Sequence, residues 1–305
     1  MKFINWRKLR WAALFTGLLT ASLFVFASNR FLYLSHQRFP VLAGLQWNHQ
    51  TSSEHRARNP IIIGHRGSGL PSTNPDAAPD DRLIGNTKRS IAAAIEANVD
   101  WIEIDIRITR DRQLVVFHDA TTEDRTTNAG AVEEMTLAEL KAGNVLVDPP
   151  EKILALKEVF DEFQAGQRRW ILDVKVSGVS GALIDRIEAA HIPKEQIIIF
   201  GNHHILQEYT GKGYRLGYTT LYKKHRKMIL SPADVIERCK EHAYDLLVVP
   251  IFFVTPQLVA KAREHDLEVW SYDSNDPRDL RYCVECGVQG LIVDDPKAAI
   301  SQFRD

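Results

Sequence analysis

Residues 101–118 read Trp101-Ile102-Glu103-Ile104-Asp105-Ile106-Arg107-Ile108, then Thr109-Arg110-Asp111-Arg112-Gln113, then Leu114-Val115-Val116-Phe117-His118. Two apolar, β-branched runs flank a polar cluster, which is a strand–turn–strand pattern. The polar link is only five residues, whereas a parallel crossover needs a dozen or more. The two strands must therefore form an antiparallel hairpin. A turn centred near Asp111 brings Glu103 and Asp105 next to His118. Because side chains alternate along a strand, the two carboxylates share one face.

Around this hairpin the pattern differs. Strand-like runs at 61–64, 170–174, 196–200, 216–220, 246–250, 268–271 and 290–293 alternate with helical patterns at 87–97, 156–164, 182–190, 233–241, 256–265 and 277–286. Such alternation implies a parallel sheet with right-handed crossovers. Sustained over about 245 residues, it suits a closed TIM-type (β/α)8 barrel better than an open sheet.

The chain starts differently again. Lys2, Arg7, Lys8 and Arg10 precede an uncharged run, 11–27, rich in Leu, Phe and Ala. That run is just long enough to span a bilayer core, and its basic flank would stay cytoplasmic. Residues 1–30 are therefore expected to be a signal anchor or transmembrane helix, 31–58 a tether, and 59–305 an exported barrel. Cleavage after Val25-Phe26-Ala27 is the competing expectation. The anchor would place the protein in the cell membrane, single-pass, with its barrel on the periplasmic or extracellular side.

The 305 residues carry a net charge of −1, so no global field points to nucleic acid. Three cysteines, with a single C-x-x-C at Cys283 and Cys286, argue against a disulfide framework and against a zinc ribbon.

Active sites of α/β barrels lie at the C-terminal ends of the strands. The first strand ends in Gly64-His65-Arg66-Gly67, the hairpin in His118-Asp119, and a later strand in Asp173-Val174-Lys175. Arginine donors match phosphate oxygens, and histidine titrates near neutrality. Two acids on the inner face of a barrel need neutralising, either by a hard divalent cation or by a cation such as Lys175. Together these residues suggest acid–base chemistry on a phosphate ester, assisted by metal.

The same pieces resemble the glycerophosphodiester phosphodiesterase family. They include 63–67, Asn86-Thr87, 99–105, 109–111, 115–119, 124–127, 172–175, 269–271 and 287–296. The resemblance implies a divalent cation, Mg²⁺ or Ca²⁺, and hydrolysis of glycerophosphodiesters or lysophospholipids. The products would be glycerol 3-phosphate, or a phosphatidic-acid-type product, and an alcohol. By resemblance His65 and His118 are the acid–base pair, Arg66 and Lys175 bind phosphate, and Trp270 walls the substrate. Glu103, Asp105 and Asp173 would hold the metal.

Two positions depart from the family pattern. Gly85 stands where the family has a glutamate read as a further metal ligand, and Asp173 where it has Glu. The long segment 69–84 with Asp76, Asp80 and Asp81 is expected to supply a replacement ligand, a lid or only a surface excursion. The loss at Gly85 also leaves open a catalytically weakened barrel that binds phospholipid or envelope polymer. The basic run 222–227 is expected at the catalytic face, facing anionic headgroups or solvent.

Overall fold

The computed structural model describes residues 59–69, 84–147, 149–164, 168–219 and 232–304. The expected anchor and tether lie outside these residues, as do Asp76, Asp80, Asp81 and the basic run. Among the described residues no helix is long and apolar enough to cross a membrane.

Eight parallel strands close into the expected barrel. They are β1 (Ile61–Gly64), β2 (Trp101–Ile108), β5 (Trp170–Val174), β6 (Ile197–Gly201), β7 (Arg215–Thr219), β8 (Leu246–Pro250), β9 (Glu268–Tyr272) and β10 (Gly290–Val293). Each pairs with the next, and β1 closes the ring by pairing with both β10 and β2. The intervening helices are α1 (Lys88–Glu96), α3 (Leu156–Phe163), α4 (Ser180–Ala189), α5 (His203–Leu206), α6 (Pro232–Glu241), α7 (Pro256–Arg263) and α8 (Pro277–Cys286), with α9 (Pro296–Arg304) at the C-terminus.

The hairpin is antiparallel and in the expected register: Ile106 faces Val116, Arg107 faces Val115 and Ile108 faces Leu114. The short β3 (Leu114–Val116) stands outside the wall. It pairs on its far side with β4 (Leu154–Ala155), and α2 (Leu137–Ala142) lies in the excursion between them. So the far end of β2 leaves the barrel and carries a small annex whose own core is Val115, Phe117, Val132, Leu140, Val145 and Ile153. Unlike β3, β4 and α2 are too short to show a period in the sequence.

Two further apolar clusters explain why the barrel is stable and where it turns polar. The larger lies between strands and helices. The smaller fills the interior with Ile63, Trp101, Ile171, Ile198, Phe200, Leu246, Val248, Trp270 and Ile292. Inward positions recur every second residue. One step above this plug, the same strands therefore present His65, Glu103, Asp173, Tyr272 and Asp294. A polar layer directly on an apolar plug, at the C-terminal ends of the strands, marks the site.

Candidate active site

The turn after β1 is built to hold an unusual backbone. Arg66 has φ 55° and Gly67 φ 86°, left-handed values that cost a non-glycine residue energy. A Cβ on Gly67 would lie 2.5 Å from the carbonyl carbon of Ser90, so only glycine fits. The turn is pinned from three sides. The Arg66 N–H donates to Glu103 Oε2 at 2.7 Å, the Gly67 N–H donates to the Glu103 carbonyl at 3.0 Å, and the Ser90 hydroxyl donates to the Arg66 carbonyl at 2.9 Å. Ser90 is itself placed by a capping box with Thr87, which starts α1. These bonds hold His65 and Arg66 against β2.

Glu103, Asp105 and Asp173 converge as their spacing requires: one oxygen from each lies within 4.8 Å of the others. Asp105 is the best partnered. Lys175 Nζ lies 2.8 Å from its Oδ1, Arg66 Nε stands 3.2 Å from its Oδ2, and the Asn86 amide donates to Oδ2 at 2.7 Å. Lys175 also donates to Asp173 at 2.5 Å. Glu103 is 2 % exposed, and its Oε1 has no hydrogen-bond partner. A buried carboxylate oxygen without a donor is costly. Three hard oxygen donors around such an orphan fit a divalent cation of the Mg²⁺ or Ca²⁺ type.

The electrostatics reflect three acids set against two cations. Burial pushes the Glu103 carboxyl up to about 7, and the neighbouring Asp105 adds to it. Burial would raise Asp105 too, but Lys175 and Arg66 outweigh it and hold this carboxyl well below the usual range. Burial alone would lower the Lys175 ammonium, yet Asp105, Asp173 and Glu103 raise it, so it stays charged.

The two histidines sit in opposite environments. His65 Nδ1 is 2.7 Å from Asp294 Oδ1. Burial lowers its pKa, but the bond to Asp294 and the charge of Glu103 win, and the net direction is up. His118 Nδ1 is 2.7 Å from Asp119 Oδ1, and Arg107 Nε donates to the His118 carbonyl at 2.9 Å. Here burial dominates, Asp105 opposes it, and Arg66 and Lys175 reinforce it, so the net direction is down. Beside His118 opens a cleft bordered by Arg66, Gly85, Asn86, Asp119 and Arg125.

The seven polar residues singled out from sequence thus gather around one polar layer. Trp270 does not join them. It is fully buried, its ring packs edge-on to Phe200 at 6.0 Å, and its N–H donates to Glu268 at 2.9 Å. It fills the interior one layer below the polar residues. Tyr272, two residues on and on the same face, is the aromatic at the rim. Asp294, Asp119 and Asn86 lie within the family motifs, but the sequence alone assigns them no role; only the side-chain pairing gives them one.

Gly85 has a structural reason. A Cβ there would stand 2.6 Å from Arg66 Cβ and 2.8 Å from the Gly69 carbonyl, so the Arg66 side chain occupies the space a larger residue would need. All three cysteines are free, and Cys239 and Cys283 are buried. His203 bonds Tyr244 at 2.9 Å and packs on His242.

Comparison with known proteins places this geometry. Residues 65–298 match the model of the Glycerophosphoryl diester phosphodiesterase family. A glycerophosphodiester phosphodiesterase of Caldanaerobacter subterraneus subsp. tengcongensis is 29% identical over 258 residues, covering 80% of this chain and 98% of that relative. An Oleispira antarctica phosphodiesterase, solved in complex with the product sn-glycerol-3-phosphate, superposes with a TM-score of 0.66 at 21% identity, over 81% of this chain and 97% of that one. A glycerophosphodiester phosphodiesterase from Thermotoga maritima gives 0.63 at 22%, over 80% and 99%. At these identities the two structural likenesses show the fold.

Proposed function

The chain belongs to the glycerophosphoryl diester phosphodiesterase family and is a phosphoric diester hydrolase; from that premise we propose that it cleaves glycerophosphodiesters, or lysophospholipids, by His65/His118 acid–base chemistry at a divalent-cation site. The observation that carries this reading is geometric: two imidazoles, each bonded through Nδ1 to a carboxylate at 2.7 Å, stand around three converging acids, and their surroundings push His65 up and His118 down. Titratable groups whose pKa values are pushed apart divide acid from base.

His118, held neutral, takes the proton from the glycerol hydroxyl next to the phosphate. That oxygen bonds to phosphorus as the bond to the leaving alcohol breaks. His65, held protonated, gives its proton to the departing alkoxide. Water then opens the cyclic phosphate with the two roles reversed, releasing glycerol 3-phosphate. Glu103, Asp105 and Asp173 would hold the cation, which supplies Lewis-acid stabilisation of charge on the phosphoryl oxygens. With the charge of the acids balanced, Arg66 and Lys175, which pair with Asp105 and Asp173 here, would be free to bind the phosphate.

The weakened-barrel alternative is not favoured, because both histidines are present and each is tied to a carboxylate. The pH–rate profile tests the reading. Activity needs His118 deprotonated and His65 protonated. It should rise with pH through a midpoint below the ordinary imidazole value of about 6.5 and fall through one above it. A profile of kcat/KM for glycerol 3-phosphate release that shows only one limb, or none, between about pH 5 and 9 would sink the assignment.

A further inference from the structure

We propose that Asp294, clamped by Asn275, is a positioning residue that sets the tautomer and charge of His65; the proposal rests on the acid role given to His65 above. The placement comes from barrel closure. β1 and β10 are parallel neighbours, with Gly64 level with Val293 and the His65 N–H donating to the Val293 carbonyl at 2.9 Å. The next residue on each strand is therefore His65 on one side and Asp294 on the other, although 229 positions separate them in the chain.

Both carboxylate oxygens of Asp294 are engaged. Its Oδ1 meets His65 Nδ1 at 2.7 Å, and its Oδ2 accepts from the Asn275 amide at 2.9 Å. Asn275 closes the clamp through its own Oδ1, which accepts from the backbone N–H of Asp294 at 2.8 Å and of Asp295 at 3.1 Å. One asparagine thus fixes both the backbone and the side-chain torsion of Asp294. An ionised carboxylate only accepts, so the proton of neutral His65 sits on Nδ1. Nε2 is then the atom left to exchange protons with a substrate. The carboxylate also stabilises the imidazolium, as in other Asp–His pairs.

Both links can be read on the full-length chain. The first readout is the titration of the His65 ring by NMR with ¹⁵N-histidine labelling, assigned with H65Q. In D294N the His65 midpoint should fall below that of the wild type, and the alkaline limb of the pH profile should move to lower pH with it. The second readout is turnover: kcat should drop roughly 10²- to 10⁴-fold, the scale for a wrong imidazole tautomer, with KM little changed. D294E, which keeps the charge, should restore the high midpoint at least in part. N275A should shift it in the same direction by less, and it guards against D294N failing to fold. Unchanged His65 titration in D294N or, should that variant not fold, in N275A overturns the proposal. If the wild-type chain hydrolysed no phosphodiester, the proposed function would fall, while the ring titration would still decide whether Asp294 governs His65.

Discussion

Replacing His118 with glutamine is expected to lower kcat roughly 10²- to 10⁴-fold, the range for loss of a positioned general base. The fold should survive the change. The His118 side chain is 39% exposed, and the bond from Arg107 is made to its backbone carbonyl, which glutamine also provides. KM should change little, since Arg66 and Lys175 bind the phosphate. With cation saturating, so that protonation of Glu103 does not limit turnover, the acidic limb of the pH profile should disappear with the histidine, because that limb is then the titration of His118 itself. Loss of the alkaline limb instead would exchange the roles of the two histidines. A variant with wild-type kcat would remove His118 from the mechanism.

Chelation should have an effect of similar size. Lewis-acid stabilisation is worth several kcal/mol, so EDTA should reduce activity by at least about 10²-fold, with recovery on adding Mg²⁺ or Ca²⁺. E103Q is the informative variant. Glu103 Oε1 has no hydrogen-bond partner, and Oε2 accepts only a backbone N–H, which a glutamine oxygen can also accept. The substitution therefore removes a donor of the cation without breaking an ion pair, and it should raise the cation concentration needed for half-maximal activity. Because burial lifts the Glu103 carboxyl to about 7, protons compete with the cation, and the apparent affinity should weaken as pH falls through that value. Activity indifferent to EDTA and to E103Q would show that Lys175 and Arg66 alone balance the acids.

Features set by residue spacing are legible in this sequence. The hairpin at 101–118 is readable because a five-residue link forbids a crossover, and its register then places His118 beside the acids of β2. Alternation places Glu103, Asp105 and Asp173 on inner faces. Contacts made by closure are not legible. Asp294 meets His65 only because the last strand returns to the first, and Asn275 reaches Asp294 from the loop after β9. The depth of Trp270 is not legible for a related reason: alternation gives the face but not the layer. Counting back from the strand end puts Tyr272 at the rim and Trp270 beneath it. The close approach of Arg66 to Gly85 is a side-chain packing fact with no trace in the local sequence.

The most direct measurement is the release of glycerol 3-phosphate from glycerophosphocholine by the full-length protein with Mg²⁺ or Ca²⁺, beside the H65Q/H118Q double variant. The account predicts turnover by the wild type and none above background by the double variant. Equal release by both, or none by the wild type with either cation, would contradict it.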